Sequence, residues 1–156
     1  MRKATIKDVK AVIFDYGWTL SDPNDGGFFS DVKETLAYLS PKYMLAIVSK
    51  ASGSTPSERI ASLKSFGVYD YFSSILFHET DKDGIFQETL RKLKVDANET
   101  AVVGDEMKRE IAWGNKNGAL TIWLRKGDFI NELPNKETGN PDFEIKELSD
   151  IIKIIK

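Results

Sequence analysis

Short apolar runs alternate with amphipathic segments along the chain. Each run is three to five residues long and contains β-branched residues, a pattern typical of strands buried on both faces. The runs lie at residues 11–14, 44–48, 74–77, 101–103 and 120–124. Strands that alternate with helices form parallel sheets with right-handed crossovers and helices on both faces. The pattern therefore predicts a three-layer α/β/α fold with a parallel sheet of about five strands.

The clearest predicted helix follows the second apolar run. Thr55-Pro56-Ser57-Glu58 is a capping box with proline at the first helical position. Ile60, Leu63 and Phe66 are expected to form its buried stripe, and Gly67 is expected to end it. Further helices are expected around 31–39, 85–93, 108–116 and 148–155, and the polar segment 125–142 is expected to be an exposed loop.

Length and composition argue against several classes of protein function. A chain of 156 residues suits one domain, expected to span 1–156. The chain has 22 basic and 24 acidic residues and a net charge of −2, which argues against a nucleic-acid binder with a basic stripe. The absence of cysteine excludes a disulfide framework, a thiolate zinc site and a cysteine nucleophile. No run approaches the roughly 18 to 20 apolar residues that span a bilayer, so we expect no membrane segment and a cytoplasmic protein.

Polar side chains follow the predicted strands at the points where the strands end. The carboxyl ends of parallel strands meet at one edge of a sheet, where ligands bind in open α/β folds. Three carboxylates gathered there would repel one another unless a cation neutralised them, and an all-oxygen site suits Mg²⁺. In chain order the polar residues are Asp15 with Thr19, Ser49, Lys82, and Asp105 with Glu110.

This order of residues resembles the four motifs of the haloacid dehalogenase (HAD) superfamily. The first motif corresponds to Asp15-x-x-x-Thr19-Leu20 and the fourth to Gly104-Asp105-x-x-x-x-Glu110. Ser49 and Lys82 correspond to the shorter second and third motifs. The resemblance covers essentially the whole chain and implies a HAD-like Rossmannoid fold and phosphatase activity.

The resemblance also implies a role for each motif residue. Asp15 would be the nucleophile that attacks phosphorus and becomes a transient aspartyl phosphate. Thr19 and Ser49 would hold phosphate oxygens, and Lys82 would neutralise charge. Mg²⁺ would be held by Asp15, the backbone carbonyl of Gly17, Asp105 and Glu110. Substrate contacts are further expected from Lys50 and Gly104, which neighbour the motif residues.

The chain departs from the superfamily pattern at two positions. Gly17 stands where HAD phosphatases typically have a second aspartate, which protonates the leaving oxygen and later activates water. The absence of a general acid predicts poor turnover of alkyl phosphates and better turnover of acyl or aryl phosphates. Asp22 or Asp25 would be substitutes, although turn formation explains both residues without a catalytic role. The second departure is Lys82, which is shifted relative to the usual lysine of this superfamily.

The gaps at 21–30 and 78–84 are too short for an inserted cap domain. Uncapped members of the superfamily often act on large substrates, so we expect a large phosphorylated substrate by analogy. Two alternatives stay open. One is a dehalogenase-like enzyme that attacks carbon, because that branch also lacks the second aspartate. The other is a degenerate domain that binds phosphorylated partners or scaffolds an assembly without turnover.

Overall fold

The computed structural model describes residues 2–50, 53–78 and 82–156, with the backbone alone at residue 82. All five predicted strands are present, and a sixth short strand is added near the C-terminus. The strands are β1 (Ala11–Phe14), β2 (Met44–Lys50), β3 (Phe72–His78), β4 (Thr100–Gly104), β5 (Leu120–Leu124) and β6 (Phe143–Ile145).

The six strands form one sheet in the order β3-β2-β1-β4-β5-β6, and all neighbouring pairs are parallel. The chain moves outward from β1 to β3 and then returns to the other side of β1. The strand order therefore reverses between β1 and β4. Phe14, the last residue of β1, pairs with Ile47 of β2 and Val103 of β4. This reversal opens a crevice at the carboxyl ends of the strands, where open α/β sheets bind ligands.

Four α-helices connect the strands. They are α1 (Val32–Leu39), α2 (Pro56–Phe66), α3 (Lys82–Leu93) and α4 (Ala112–Asn117). A π-helical turn, Met107–Ile111, leads directly into α4, where the sequence predicted one continuous helix. The C-terminal segment Leu148–Lys153 is a 3₁₀ helix instead of the predicted amphipathic α-helix. Its buried residues Leu148 and Ile151 are three apart, the spacing that a 3₁₀ helix places on one face.

Both faces of the sheet are buried, as the apolar runs predicted. Val12 and Phe14 of β1 pack in a cluster with Leu36 of α1 and Leu63 of α2. The alternate residue Ile13 packs in a second cluster with apolar side chains of α3 and α4. These layers confirm the three-layer α/β/α architecture, because successive side chains of a strand point to opposite faces. Within the described residues no cap domain covers the carboxyl edge, since only residues 15–31 separate β1 from α1.

Helix α2 has the predicted ends but a different buried stripe. Thr55 accepts a hydrogen bond from the Glu58 N–H at 3.1 Å and donates its own N–H to the Glu58 carboxylate at 3.1 Å, which completes the capping box. Gly67 ends the helix in the left-handed conformation, with φ of 84°. The predicted burial of Ile60 was wrong: Arg59 and Leu63 are the buried residues of α2, and Ile60 is half-buried. Residues 59, 63 and 66 share a helical face, so the observed stripe keeps Leu63 and Phe66 but begins at Arg59 instead of Ile60.

Among the described residues, no helix has both the length and the apolar character required to cross a bilayer.

The contact between α4 and the sheet depends on the small size of Gly114. A Cβ atom at this position would lie 2.5 Å from Cγ2 of Thr121 and 2.7 Å from Cγ2 of Val102. Both neighbours are β-branched side chains of the sheet, which have little freedom to move aside.

We expect Gly114→Ala to lower the free energy of unfolding by about 1 to 3 kcal/mol, because the added methyl overpacks this contact. Urea denaturation measures the change. The matched control is Gly84→Ala at an exposed position of α3, where alanine should stabilise by up to about 1 kcal/mol. Equal effects of the two substitutions would contradict the packing argument.

Candidate active site

Three carboxylates converge at the crevice between β1 and β4. Asp15 follows β1, Asp105 follows β4, and Glu110 lies in the π-helical turn. One carboxylate oxygen from each residue lies within 4.8 Å of the others. The three side chains are buried, with exposed fractions of 8%, 3% and 1%. The structure thus brings together three of the four residues that the sequence assigned to a metal site.

Hydrogen bonds of the main chain fix two of these acids. The Asp15 N–H donates to the Val103 carbonyl at 3.0 Å, and the Tyr16 N–H donates to Oδ1 of Asp15 at 2.8 Å. The Trp123 indole N–H donates to the Asp105 carbonyl at 3.0 Å, which ties the end of β4 to β5. The two carboxylates are therefore held at adjacent strand ends by the sheet itself.

The three buried carboxylates repel one another and would be stabilised by a nearby positive charge. Burial raises the pKa of Asp105 well above its ordinary value, and the neighbouring Asp15 carboxylate raises it further. Removing water from several like charges disfavours their ionised forms unless a proton or a cation compensates. Mg²⁺ prefers oxygen ligands and commonly uses a few carboxylates in proteins. The buried all-oxygen donor set formed by Asp15, Asp105 and Glu110 fits that ion.

Gly104 makes room for the third carboxylate. A Cβ at this position would lie 2.5 Å from Cγ and 2.7 Å from Cδ of Glu110. Glycine at the end of β4 therefore allows the Glu110 side chain to fold over the strand toward Asp15. Gly104 was predicted to contact substrate, but it does not line the cavity described next.

A cavity of about 590 Å³ opens at the carboxyl edge beside the acids. The predicted site residues that line it are Asp15, Gly17, Ser49, Lys50 and Asp105. Thr19 is fully buried away from the cavity wall, and no described residue hydrogen-bonds its hydroxyl. Lys82 begins α3, but its side chain lies outside the described residues.

The position of the missing second aspartate is open. A Cβ built on Gly17 meets no heavy atom of the described residues within 4 Å, and Gly17 lines the cavity. The carboxylates of Asp22 and Asp25 accept hydrogen bonds from the N–H groups of Asn24 at 2.9 Å and Gly27 at 2.8 Å. Both are Asx-turn bonds, which stabilise the loop after β1. These contacts support the turn interpretation of Asp22 and Asp25.

Trp18 forms a wall of the cavity together with the loop after β5. Its backbone is left-handed, with φ of 60°, and its ring stacks against Phe29 with 6.4 Å between centroids. A Cβ at Gly127 would lie 2.6 Å from Cγ of Trp18, so this glycine allows the indole to lie against the backbone. Asp128 and Phe129 also line the cavity. The segment predicted as a plain exposed loop therefore contributes to the site.

Arg59 is the site residue that sequence reasoning missed. It is 6% exposed, lines the cavity and donates to Oγ of Ser49 at 3.2 Å. Burial lowers the pKa of its guanidinium, and the negative charge of Asp15 counteracts that shift. The available signal was periodicity, because Arg59 lies four residues before Leu63 on the buried face of α2. A charged residue on a buried helical face often marks a functional site.

Known proteins resemble this chain in sequence. A glyceraldehyde 3-phosphate phosphatase from Methanopyrus kandleri is 28% identical over 134 residues, covering 80% of this chain and 56% of that protein. A mitochondrial phosphatidylglycerophosphatase from Saccharomyces cerevisiae is 28% identical over 138 residues, covering 81% of this chain and 72% of that protein. The chain thus spans little more than half the length of the Methanopyrus protein.

A solved structure shows the same fold. The crystal structure of a HAD phosphatase from Thermococcus onnurineus superposes with a TM-score of 0.72 and 20% identity, covering 94% of this chain and 97% of that chain. At this identity the similarity establishes the fold alone.

A family model identifies the chain more closely. The model described as mitochondrial PGP phosphatase matches residues 1–128. The matched part includes β1 to β5 and the three converging carboxylates. The chain therefore belongs to the mitochondrial PGP phosphatase family, within the HAD superfamily of hydrolases.

Proposed function

We propose that this protein is a Mg²⁺-dependent phosphatase that works through an aspartyl-phosphate intermediate on Asp15. The observation that carries the proposal is the meeting of Asp15, Asp105 and Glu110 within 4.8 Å beside an open cavity. Two relatives that bear phosphatase names support the reaction class. These observations support Asp15 as the residue that would meet both a cation and a phosphoryl group.

In this mechanism the Asp15 carboxylate attacks phosphorus, and the bond from phosphorus to the leaving oxygen breaks. Water then cleaves the acyl phosphate, which regenerates the carboxylate and releases inorganic phosphate. Mg²⁺, held by Asp15, the Gly17 carbonyl, Asp105 and Glu110, would supply positive charge that offsets the repulsion between two anions. The Tyr16 N–H holds one Asp15 oxygen and so orients the nucleophile.

The phosphoryl oxygens would be held by the chain on the β2 side of the cavity. Ser49 and Lys50 line this side, and both are proposed to contact phosphate. Thr19 and Lys82 keep the roles implied by the superfamily resemblance as predictions, the first as a phosphate ligand and the second as a neutralising charge. Gly104 is proposed to act through Glu110 instead of through substrate.

The leaving group determines how well the enzyme turns over its substrate. Gly17 offers no proton to a departing alkoxide, whereas an aryl oxide or carboxylate leaves without one. We therefore propose a preference for phosphate esters or anhydrides with good leaving groups. In the part of the chain that the structure describes, no cap domain covers the cavity. This openness favours a substrate in which the phosphate is attached to a large group. Cytoplasmic location stays a prediction, because the yeast relative carries a mitochondrial name.

Two measurements distinguish the proposed phosphatase from the two alternatives. A dehalogenase-like enzyme works without metal, so loss of activity in EDTA and recovery with Mg²⁺ would exclude it. A degenerate binding domain would bind phosphorylated ligands and hydrolyse none of a broad panel of phosphate esters. The family match favours the phosphatase over both.

We expect Asp15→Asn to lower kcat on an aryl phosphate by roughly 10³- to 10⁶-fold, the range seen when a nucleophile is removed. Steady-state release of p-nitrophenol measures it. The control Asp25→Asn changes an exposed turn residue outside the cavity and should keep wild-type activity. Undiminished turnover in Asp15→Asn would refute the proposed nucleophile.

We expect Gly104→Ala to weaken Mg²⁺ binding by roughly 10- to 100-fold, the usual cost when the support of a metal ligand is disturbed. The new methyl displaces the flexible Glu110 side chain and leaves the sheet intact. The rise of Tm with Mg²⁺ concentration reports the affinity. Gly17→Ala is the matched control, because its methyl enters open space and its carbonyl is retained. An unchanged Mg²⁺ response in Gly104→Ala would show that Glu110 does not hold the ion.

We expect Gly17→Asp to raise kcat on an alkyl phosphate by roughly 10²- to 10⁴-fold, the usual contribution of a positioned general acid. Turnover of an aryl phosphate should change far less, since its leaving group needs no proton. Comparing glycerol phosphate with p-nitrophenyl phosphate measures the selectivity, with Gly17→Ala as the control. A gain that is equal on both substrates would contradict a missing acid.

A further inference from the structure

Arg59 links helix α2 to the end of β2. Its Nη1 donates to the Lys50 carbonyl at 2.8 Å and to Oγ of Ser49 at 3.2 Å, and its Nε donates to Oγ of Ser54 at 2.9 Å. The guanidinium thus bridges strand and helix through three acceptors. Arginine is well suited to this role, because its donors form a rigid planar fork.

The aromatic side chains around Arg59 hold the fork in place. Its Cζ lies 4.6 Å from the ring centroid of Tyr16 and 5.4 Å from that of Phe77. Tyr16 directly follows the proposed nucleophile, so the same residue contacts both Asp15 and Arg59. The capping box at Thr55 and Glu58 fixes the first turn of α2, from which Arg59 projects. The guanidinium is therefore held in position before any ligand binds.

The hydrogen bond from Arg59 determines what the Ser49 hydroxyl can do. Arginine can only donate, so Ser49 Oγ accepts from it and keeps its own proton for another acceptor. Among the described residues, the acceptor for that proton is the Lys50 carbonyl at 3.5 Å, which already accepts from Arg59 at 2.8 Å. A bond of that length is weak. A phosphoryl oxygen in the cavity would be a stronger acceptor, because charge-assisted bonds are shorter and stronger.

We infer that Arg59 is a positioning residue that holds the Ser49 hydroxyl as a hydrogen-bond donor toward phosphate. The inference rests on the proposed phosphatase function and assigns α2 a part in it. Arg59 also places a permanent positive charge in the lining of the cavity, beside Ser49. A phosphate held by Ser49 would therefore lie near this charge.

A double-mutant cycle tests the inference through phosphate binding, measured by calorimetry with inorganic phosphate in the presence of Mg²⁺. Ser49→Ala and Arg59→Gln should each weaken phosphate binding, by roughly 10- to 100-fold for the arginine. The double variant should bind no more weakly than Arg59→Gln alone, because the serine acts only when the arginine orients it. Lys64→Gln removes a positive charge from an exposed position of the same helix and should bind like wild type.

Kinetics give a second readout on p-nitrophenyl phosphate. Arg59→Gln should raise KM, whereas a partly unfolded sample would lower kcat at unchanged KM. Added guanidinium should restore part of the activity of Arg59→Ala and none of the activity of Ser49→Ala. If Arg59→Gln fails to fold, Arg59→Lys takes its place in the cycle, since it keeps the charge and loses the fork.

Two results would overturn the inference. One is a double variant whose loss equals the product of the single losses, and the other is unchanged phosphate binding in Arg59→Gln and Arg59→Ala. Failure of the phosphatase function is a different outcome: the wild type would then hydrolyse no ester, while phosphate binding still showed the coupling between Arg59 and Ser49.

Discussion

The candidate active site is built around three buried carboxylates that lie close to one another. One carboxylate oxygen each of Asp15, Asp105 and Glu110 lies within 4.8 Å of the other two, and all three side chains are buried. At such distances like charges repel strongly in a protein interior, where solvent screens them poorly. Burial raises the pKa of Asp105, and the Asp15 carboxylate raises it further. A proton or a cation can offset this cost, and in the proposed function Mg²⁺ would do so.

The three carboxylates come from elements that are far apart in the sequence and that the fold brings together. The order of the sheet reverses between β1 and β4, which brings Asp15 and Asp105 to adjacent strand ends. The π-helical turn places Glu110 above Gly104, where a side chain on the strand would collide with it. π-Helical turns occur frequently at functional sites, and here the turn brings a third carboxylate inward. Rigid strands thus carry two acids, and a short irregular turn carries the third.

Arg59 adds a positive charge to the lining of the cavity on the β2 side. Arg59 lies there, held by Ser49, Lys50 and Ser54, and its guanidinium stacks on the ring of Tyr16. A phosphate bound beside Ser49 would lie near Arg59 and, under the proposed function, near the metal held by the carboxylates. The loops after β1 and β5, which carry Trp18 and Asp128, shape the outer part of the cavity and so bear on the choice of substrate.

The sequence by itself determined the strands, both ends of α2 and the placing of Asp15 and Asp105 at one sheet edge. These features are local: burial on two faces needs an apolar run, and a capping box needs residues three apart. Tertiary structure decided which side chains meet. It brought Arg59 within hydrogen-bond distance of Ser49, left Thr19 off the cavity wall, added β6 and converted the last predicted α-helix into a 3₁₀ helix. Each of these outcomes depends on contacts between distant segments, and a periodic pattern of polarity carries no information about which segments pack together.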